Sequence, residues 1–435
     1  MNIPFTRHRL ANGLDVVVHE DRACPIVSVN LWYHVGSKNE VPGRTGFAHL
    51  FEHLMFEGSA HHDRGYFPPI QGAGGTLNGS TSADRTNYWE VVPSNALELA
   101  LWMESDRMGF LLPALTEEKF ANQRDVVLNE RRQQYENRPY GLAQMALLSG
   151  LFPAGHPYRW ATIGEVADLH AAQLDEVRAF FATYYHPANA SLAIAGDVET
   201  DEALRLAQRY FEPLPAGPPV APVRPVQPRL DAEVRLVLED RVELPRLYLA
   251  WHTPALFADG DAALDLAADM VANGKTSRLY RRLVYDMRIA TDVAASQGSR
   301  EAGSFFQLAV TAAPGHTVAE LERVVREEVE RLATDGPTED EMVRALIQAE
   351  AHFVYRLQTI GGFGGKADQL NAYNTYLGDP GYFARDLARY TSLTASAVRD
   401  AVREWLSPSR RVAVSVVPKG RAIYALPGSS VAQVA

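Results

Sequence analysis

The sequence predicts an α+β protein of two tandem, structurally similar domains, each a mostly antiparallel sheet with helices packed on it. The chain has 435 residues, more than one ordinary core holds, since domains commonly contain roughly 100–200 residues. Residues 213–229 hold seven prolines, and such a stretch favours an extended spacer over a helix or a central strand. The same patterns follow one another on both sides of this spacer. We therefore expect a first domain at 1–212, a linker at 213–229 and a second domain at 230–435.

Each half opens with two strand patterns that lead to a helix, and closes with an amphipathic helix that leads to a β-branched strand. The opening strands are expected at 14–21 and 26–37 and at 233–240 and 246–254, the helices at 46–57 and 261–273, and the closing pairs at 174–198 and 395–418. The repeated order indicates that the halves are distant copies of one unit.

Further patterns lie between these landmarks. They predict strands at 86–93 and 304–313 and helices at 95–110, 117–150, 199–211, 318–333 and 338–358. Because strands come early and helices late in each half, we expect helices on one face of each sheet. A glycine-rich segment, IGGFGGKADQL at 360–370, lacks the G-x-G-x-x-G spacing of a nucleotide site and is interpreted as a hinge or an interdomain loop.

Composition and charge exclude several classes of protein. The net charge is −11, with 42 lysines and arginines against 53 aspartates and glutamates, and no long basic run occurs, so we expect no nucleic-acid partner. The chain is 46% apolar and 22% charged, and no stretch reaches the ~18 apolar residues of a membrane span. The first residues lack the apolar core of a signal peptide, which predicts a cytoplasmic location, or a periplasmic one if a leader has been removed.

The stretch GFAHLFEHLMFEGS, residues 46–59, predicts a helix with one buried face. Its apolar residues recur at the spacing of a stripe that packs on a core; they are Phe47, Leu50, Phe51, Leu54 and Met55. Gly46 precedes the helix, and Gly58 follows it at a position where helices often end.

The same helix presents His49 and His53 one turn apart, so that both imidazoles can reach one ion, with Glu52 beside them. A catalytic zinc site needs a third protein ligand and an open position for water. Since Cys24 is the only cysteine, that ligand is expected from another residue type, and Glu130 in a long polar helix is the best candidate. The alternative is that the histidines are partly buried residues with ordinary hydrogen bonds and Glu52 belongs to a solvated face. Burial of three polar side chains without a partner is unfavourable, which favours the metal site.

Five motifs between residues 46 and 280 carry a resemblance to a known family, and the resemblance covers nearly the whole chain. They are G-x-A-H-x-x-E-H-x-x-F-x-G at 46–58, G-G-x-x-N-G-x-T at 74–81, D-x-T-x-Y at 84–88, N-Q-R-x-V-V-x-x-E-R at 122–131 and S-R-L-Y at 277–280. In this order they resemble the pitrilysin-like, inverted-zincin metallopeptidases, a family that includes mitochondrial processing peptidase and insulin-degrading enzyme.

The resemblance implies that His49, His53 and Glu130 bind one Zn²⁺ per chain and that Glu52 acts as the general base. It also implies that an edge strand at the G-G-x-x-N-G-x-T motif pairs with the substrate backbone, with Asn78 as the substrate-binding residue carried over. A plain turn at the double glycine of this motif is the alternative.

The chain departs from the family at two points. Many relatives have a glutamate seven residues before the third ligand, where this chain has Gln123. Self-sufficient members have an arginine and a tyrosine, seven residues apart, where this chain has Val284 and Thr291. Arg278 and Tyr285 repeat that spacing, but the alignment assigns Arg278 to the structural S-R-L-Y motif, and we treat the spacing as a coincidence.

Single-chain members of the family contain four such domains, whereas this chain provides two. The resemblance therefore implies a heterodimer with a related subunit that lacks the zinc motif and supplies the arginine and tyrosine pair, with a homodimer as the second choice. The expected function is that of a zinc endopeptidase acting on peptides or unfolded polypeptide segments. A non-catalytic or processing subunit of a related peptidase complex remains an alternative, as does a processing factor for a small peptide-derived cofactor precursor.

Overall fold

The computed structural model describes residues 2–225 and 228–434. Within these residues, the strands form two six-stranded sheets. The strands are β1 (Thr6–Arg9), β2 (Asp15–Glu20), β3 (Ile26–Tyr33), β4 (Thr76–Thr81), β5 (Thr86–Pro93), β6 (Ala190–Gly196), β7 (Val234–Asp240), β8 (Arg246–Thr253), β9 (Ala290–Gly298), β10 (Ser304–Ala312), β11 (Val412–Pro418) and β12 (Ser430–Val431).

Fourteen α-helices accompany the sheets in the described part of the chain. They are α1 (Phe47–Leu54), α2 (Phe67–Gly72), α3 (Leu97–Ala114), α4 (Glu117–Arg131), α5 (Ala143–Leu151), α6 (Val166–Ala171), α7 (Leu174–Tyr184), α8 (Thr200–Phe211), α9 (Asp261–Val271), α10 (Val318–Asp335), α11 (Glu339–Arg356), α12 (Lys366–Leu377), α13 (Phe383–Thr391) and α14 (Ala395–Trp405). Each of these helices is too short or too polar to span a membrane.

Five strands have the same order in both sheets, and the outer strand differs, since β1 comes first in the chain and is antiparallel to β2, whereas β12 comes last and is parallel to β7. The first runs β1-β2-β6-β3-β5-β4 and the second β12-β7-β11-β8-β10-β9. The pairs β2–β6, β7–β11 and β7–β12 are parallel and the other neighbours are antiparallel. Each sheet takes all its strands from one half of the sequence. The predicted α+β class, with two similar and mostly antiparallel domains, is confirmed.

Backbone contacts divide the chain into two compact units. Unit 1 contains Met1–Asn129, Thr162–Val223 and His352–Asp386, and unit 2 contains Glu130–Ala161, Arg224–Ala351 and Leu387–Ala435. Helix α12 thus belongs to the unit of the first sheet and helix α5 to the unit of the second. The domains predicted from the sequence are continuous stretches of the chain, whereas each of these units combines three separate stretches. The predicted domain boundaries stay a prediction. The described residues of the proline-rich stretch form neither helix nor strand.

Both faces of the first sheet are covered, so the expectation of helices on one face is wrong for this unit. On β3, the buried Tyr33 points to one face and its ring lies 4.9 Å from that of Tyr185, which follows α7. Asn30 and Trp32 point to the opposite face, where both donate hydrogen bonds to Asp368 of α12. Residues that alternate along a strand face opposite sides of the sheet. The second face carries polar side chains, and their partner lies more than 300 residues away in the chain.

Asp368 is the centre of a buried polar network between the first sheet and α12. Its Oδ1 accepts hydrogen bonds from Asn30 Nδ2 (3.3 Å), Trp32 Nε1 (2.8 Å) and Asn87 Nδ2 (3.0 Å), and its Oδ2 accepts one from the Gly364 amide (2.8 Å). Since buried donors without an acceptor are strongly unfavourable, this carboxylate fixes α12 and the glycine-rich segment before it to the sheet.

In unit 2, β8 likewise places alternate side chains on opposite faces. Leu249 and Trp251 lie in the apolar core formed with α9, α10 and α14. His252 points the other way, and its Nε2 lies 2.8 Å from the Leu151 carbonyl at the end of α5. Gly150 of α5 lies so close to Val412 of β11 that a Cβ there would be 2.8 Å from the valine side chain. The absence of a side chain at this position lets α5 lie directly on the sheet.

The single helix predicted at 117–150 is wrong. Helix α4 ends at Arg131, a π-helical segment follows at Arg132–Glu136, and α5 begins only at Ala143. Pro139 has no N–H to continue a helix, and Tyr140 adopts the left-handed region with φ of 64°. The Tyr140 amide instead donates to Asp240 Oδ2 at 2.7 Å. This tertiary hydrogen bond holds a turn that helical periodicity alone does not indicate.

We predict that Asp368→Ala lowers the free energy of unfolding by about 3 kcal/mol, because three buried side-chain donors lose their acceptor. Urea denaturation followed by tryptophan fluorescence measures this change. Asp125→Ala, on the exposed face of α4, is the control and should change stability by less than about 0.5 kcal/mol. Equal stability of the two variants would contradict the role assigned to Asp368.

Candidate metal centre

The helix that carries the H-x-x-E-H motif is anchored by its apolar stripe. All five predicted stripe residues are buried, with Phe47 2% exposed and the other four fully covered; they are Phe47, Leu50, Phe51, Leu54 and Met55. The Phe51 ring packs against the rings of Phe181 and Tyr185 at 5.3 and 5.2 Å. The predicted buried face is confirmed, although α1 ends at Leu54 and is shorter than the predicted 46–57.

The first turn of α1 is fixed by a carboxylate and by a close backbone contact. The buried Glu40 side chain accepts hydrogen bonds from the amides of Gly46 and Ala48, both at 2.9 Å. Gly46 has a φ of 89°, and a Cβ there would lie 3.0 Å from Gly164 Cα. Only glycine combines this conformation with so close an approach. A negative charge at the start of a helix is also favourable toward the helix dipole.

The structure brings the three predicted metal ligands together. His49 and His53 have their ring centroids 4.8 Å apart, with the rings at 83°. Glu130 lies in the last turn of α4, most of which belongs to unit 1. One ligand atom from each of the three residues lies within 4.8 Å of the other two, and all three side chains are partly exposed.

The donor set fits a zinc ion better than calcium or magnesium. Two imidazole nitrogens and one carboxylate oxygen form a three-ligand set that is typical of catalytic zinc, whereas calcium and magnesium are bound mainly by oxygen. His49, His53 and Glu130 would hold the ion. Their partial exposure leaves this side of the cluster accessible to solvent, as an open coordination position requires.

Glu52, on the same helix turn, is positioned by a residue to which sequence analysis gave no role. Thr81 Oγ1 donates a hydrogen bond of 2.7 Å to Glu52 Oε2. Thr81 is the last residue of β4, and it closes the motif at 74–81. Its place in that motif was the one feature of the sequence that could have indicated a role for Thr81. The neighbouring residues do not indicate that its side chain reaches a glutamate 29 residues earlier.

Strand β4 lies at the edge of the first sheet and packs beside α1. In the described residues it pairs only with β5, so its outer edge carries no strand. Asn78 is exposed there, and its Oδ1 accepts a hydrogen bond of 2.8 Å from the Gly79 amide. A Cβ on Gly79 would lie 3.2 Å from the Phe56 ring, so the glycine lets the strand lie close to the end of the motif helix. The substrate-binding role of Asn78 stays a prediction.

Gln123, which stands where many relatives have a glutamate, bonds to the segment that follows α1. Its Nε2 donates a hydrogen bond to Glu57 Oε1. An amide can donate to this carboxylate, whereas an ionised glutamate could not. This hydrogen bond joins α4 to the segment that follows α1.

A buried ionic cluster lies beneath the end of the motif region. The Arg107 guanidinium is stacked 3.9 Å from the Tyr66 ring centroid and bonds to Glu104, and Tyr66 donates to Glu90 Oε1 at 3.0 Å. Burial, and then the neighbouring Glu104 carboxylate, raise the pKa of Glu90 well above its ordinary value. Sequence analysis did not identify these residues.

Among the described residues, the second sheet and its helices carry no second group of three metal-ligating side chains. Helix α9 begins, like α1, after a glycine in the left-handed region, Gly260 with a φ of 92°. When α1 and α9 are aligned on these glycines, His49, Glu52 and His53 correspond to Ala263, Leu266 and Ala267. All three residues of α9 are buried. Arg278 donates two hydrogen bonds of 2.7 Å to the Glu341 carboxylate, which agrees with a structural role for this arginine.

Comparison with known proteins assigns both halves of the chain to one family. Residues 15–156 match the domain described as Insulinase (Peptidase family M16), and residues 171–349 match the domain described as Peptidase M16 inactive domain. The zinc protease PqqE of Helicobacter pylori is 30% identical over 361 residues, which cover 82% of this chain and 81% of the relative. An uncharacterized zinc protease of Streptomyces coelicolor is 26% identical over 94% of this chain and 89% of its own length.

Solved structures share the fold. A protease from Helicobacter pylori superposes with a TM-score of 0.88 at 26% identity, over 95% of this chain and all of the other. A Peptidase M16 inactive domain from Pseudomonas fluorescens superposes with a TM-score of 0.85 at 21% identity, over 96% and 98% of the two chains. The fold and the motif helix define a protein of the inverted-zincin type, and the chain belongs to peptidase family M16.

We predict that the purified chain binds one zinc ion and that Glu130→Gln weakens zinc binding at least about tenfold, because an anionic ligand is replaced by a neutral amide. Competition with a chromophoric chelator measures the affinity, and elemental analysis gives the stoichiometry. His170→Ala, which removes an exposed histidine of α6, should leave both values unchanged. If Glu130→Gln and His170→Ala bind zinc equally well, Glu130 is not a ligand.

Proposed function

We propose that the protein is a zinc-dependent endopeptidase that hydrolyses peptides or unfolded polypeptide segments. The observation that carries this proposal is the convergence of His49, His53 and Glu130 within 4.8 Å, with Glu52 on the same helix turn. The zinc proteases named among the relatives support the choice of metal and of reaction class.

The residues of the chain have separate tasks in this reaction. A bound zinc ion supplies Lewis-acid activation of water and of the scissile carbonyl. Glu52 accepts a proton from the attacking water and later delivers it to the nitrogen of the leaving amine. Thr81 keeps the Glu52 carboxylate in place through its 2.7 Å hydrogen bond. The net result is the addition of one water molecule across one peptide bond.

The edge of β4 is the proposed binding surface for the substrate backbone. An extended peptide can add to an exposed sheet edge through main-chain hydrogen bonds, and β4 lies next to the helix that carries Glu52. We retain Asn78 as the substrate-binding residue of this strand. Because a folded protein rarely offers a free extended strand, this mode of binding favours peptides and unfolded segments.

We further propose that the active form is a heterodimer with a related subunit that lacks the zinc motif and supplies an arginine and a tyrosine. This chain has Val284 and Thr291 at the corresponding positions, and a homodimer is the second choice. The expected location is the cytoplasm, with the periplasm as the alternative, and neither nucleic acid nor a membrane is an expected partner.

The second candidate function is that of a non-catalytic or processing subunit of a related peptidase complex. The observation that favours it is the match of residues 171–349 to a domain described as inactive. That match begins after the three ligand residues and Glu52, which all lie in the part of the chain matched by the Insulinase domain. A complete ligand set is better explained by the catalytic function.

We predict that Glu52→Gln retains bound zinc and lowers kcat for peptide hydrolysis by about a thousandfold or more, since it removes the proton acceptor without removing a ligand. Cleavage of a quenched fluorescent peptide measures the rate, with the chain alone and with any partner that copurifies from its native cell. Glu118→Gln, on the exposed surface of α4, is the matched control and should retain full activity.

Three outcomes of this experiment would each reject a specific proposal. Full activity of the isolated chain would reject the heterodimer. Activity of Glu52→Gln equal to that of Glu118→Gln would reject Glu52 as the base. A zinc-loaded complex without peptidase activity would reject the catalytic function in favour of the non-catalytic one.

We predict that Thr81→Val lowers kcat roughly tenfold to a hundredfold and leaves KM and zinc content nearly unchanged, because a hydrogen bond to a charged group contributes about 1.5–3 kcal/mol. Valine keeps the shape of the side chain and removes only the donor to Glu52. Thr76→Val, at the exposed start of the same strand, controls for the effect of the substitution on β4. An unchanged kcat for Thr81→Val would show that the hydrogen bond does not position the base.

A further inference from the structure

A cavity of about 500 Å³ lies within unit 2, and Glu130 forms part of its wall. Glu130 thereby borders the cavity and also belongs to the candidate metal centre. Successive residues of an extended peptide are roughly 3.3–3.6 Å apart. An extended peptide whose reacting carbonyl lies beside Glu130 can therefore place a nearby side chain in this cavity. The catalytic proposal assigns no task to the space.

The charges on the cavity wall are predominantly positive. Two arginines line it, Arg138 and Arg246, and Glu130 is the only acidic residue among the lining residues that the structure describes. Neither arginine forms an ion pair within residues 2–225 and 228–434. Because the charge of Glu130 is directed toward a cation in the metal-loaded protein, the guanidinium groups of the cavity are left to attract an anion.

Arg246 is held in place by neutral groups that do not neutralise its charge. Its Nε donates to Thr311 Oγ1 at 2.7 Å and its Nη1 donates to the Tyr248 hydroxyl at 3.3 Å. Its guanidinium carbon lies 3.9 Å from the centroid of the Tyr140 ring. A guanidinium has five N–H donors in a planar fork, so these contacts leave donors for a carboxylate. The side chain is thus ordered before any ligand arrives, which reduces the entropy lost on binding.

The wall that carries Tyr140 is also fixed. The Tyr140 amide donates to Asp240 Oδ2 at 2.7 Å and its hydroxyl donates to the Leu244 carbonyl at 2.8 Å. These two hydrogen bonds join the turn between α4 and α5 to the segment between β7 and β8. They also hold Tyr140 in the left-handed region, which is unfavourable for a bulky residue. A strained conformation kept in place by tertiary contacts indicates a turn with a fixed geometry.

We propose that this cavity is a substrate subsite that binds a peptide carboxylate, with Arg246 as the principal specificity-determining residue and Arg138 as a second positive group. The carboxylate belongs to an aspartate or glutamate side chain close to the scissile bond, or to the C-terminus of a short peptide. This inference rests on the proposed function, because it assumes a peptide bound at the metal centre.

Binding of peptides to the zinc-loaded, full-length Glu52→Gln protein tests the proposal without requiring catalysis. The protein is used with any partner that copurifies with it. The probes are fluorescent ten-residue peptides that carry glutamate, glutamine or lysine at one position, which is moved along the peptide, and all have an amidated C-terminus. A further glutamine peptide with a free C-terminus tests the terminal carboxylate as the source of the anion.

We expect a peptide with glutamate at one particular position, or the peptide with the free C-terminus, to bind at least about tenfold more tightly than the amidated glutamine peptide. Arg246→Gln should abolish this preference while the affinity for the amidated glutamine peptide changes less than twofold. Arg246→Lys should restore only part of it, because an ammonium lacks the planar fork of donors. Arg138→Gln should reduce the preference by a smaller factor.

The matched control is Arg241→Gln, an exposed arginine of the segment between β7 and β8 that does not line the cavity. It should keep the full preference. Circular dichroism establishes that each variant folds. If Arg246→Gln does not fold, Arg246→Lys still tests the role of Arg246.

Equal binding of the glutamate, glutamine and free-acid peptides by the parent protein would overturn the subsite, and so would a preference that survives Arg246→Gln. These failures are distinct from failure of the proposed function. Hydrolysis without any preference for a carboxylate rejects only the subsite. A preference that depends on Arg246 in a protein that cleaves no peptide rejects only the peptidase.

Discussion

The candidate site depends on a helix that cannot be stable by itself. Helix α1 has eight residues, fewer than the ~12–15 that an isolated helix needs in water, yet it must hold His49 and His53 on one face. Its stability comes from the buried stripe on its other face and from the Glu40 carboxylate that accepts two amides of its first turn. The arrangement of the two imidazoles therefore follows from the packing of unit 1, and Glu130 joins them because α4 ends beside this helix.

The support beneath the site is unusual in being ionic. Arg107, Glu104 and Glu90 are almost completely buried, and transfer of isolated charges to such a place is very unfavourable. The Arg107 guanidinium bonds to Glu104, and burial and the Glu104 carboxylate raise the pKa of Glu90. The aromatic ring of Tyr66 lies on the arginine. This arrangement connects the segment after α1 to β5 and α3 through directional contacts. Apolar packing alone would allow this segment more alternative positions.

The two sheets show that the fold and the chemistry of this protein are separable. Five strands have the same order in both sheets, and β3 and its counterpart β8 each lead to a helix that begins after a left-handed glycine. The first helix presents nitrogen and oxygen donors, whereas the second buries Ala263 and Ala267. Function on a repeated fold resides in the side chains added to it. In unit 2 the added features are instead the cavity beside Glu130 and its ordered arginine, which would contribute to the choice of substrate.

The sequence by itself determined the fold class, the repeat, the buried stripe of α1 and the family, because these follow from local periodicity and from motifs with fixed spacing. It also predicted Glu130 as a partner of the two histidines, and the structure places it beside them. Only the tertiary structure decided which distant groups meet: Thr81 with Glu52, Asp368 with the second face of the first sheet, and Asp240 with the turn that ends α4. The predicted helix at 117–150 failed for the same reason. Hydrogen bonds between residues far apart in the chain produce no periodic pattern of residue types, so the sequence does not indicate their partners before the chain has folded.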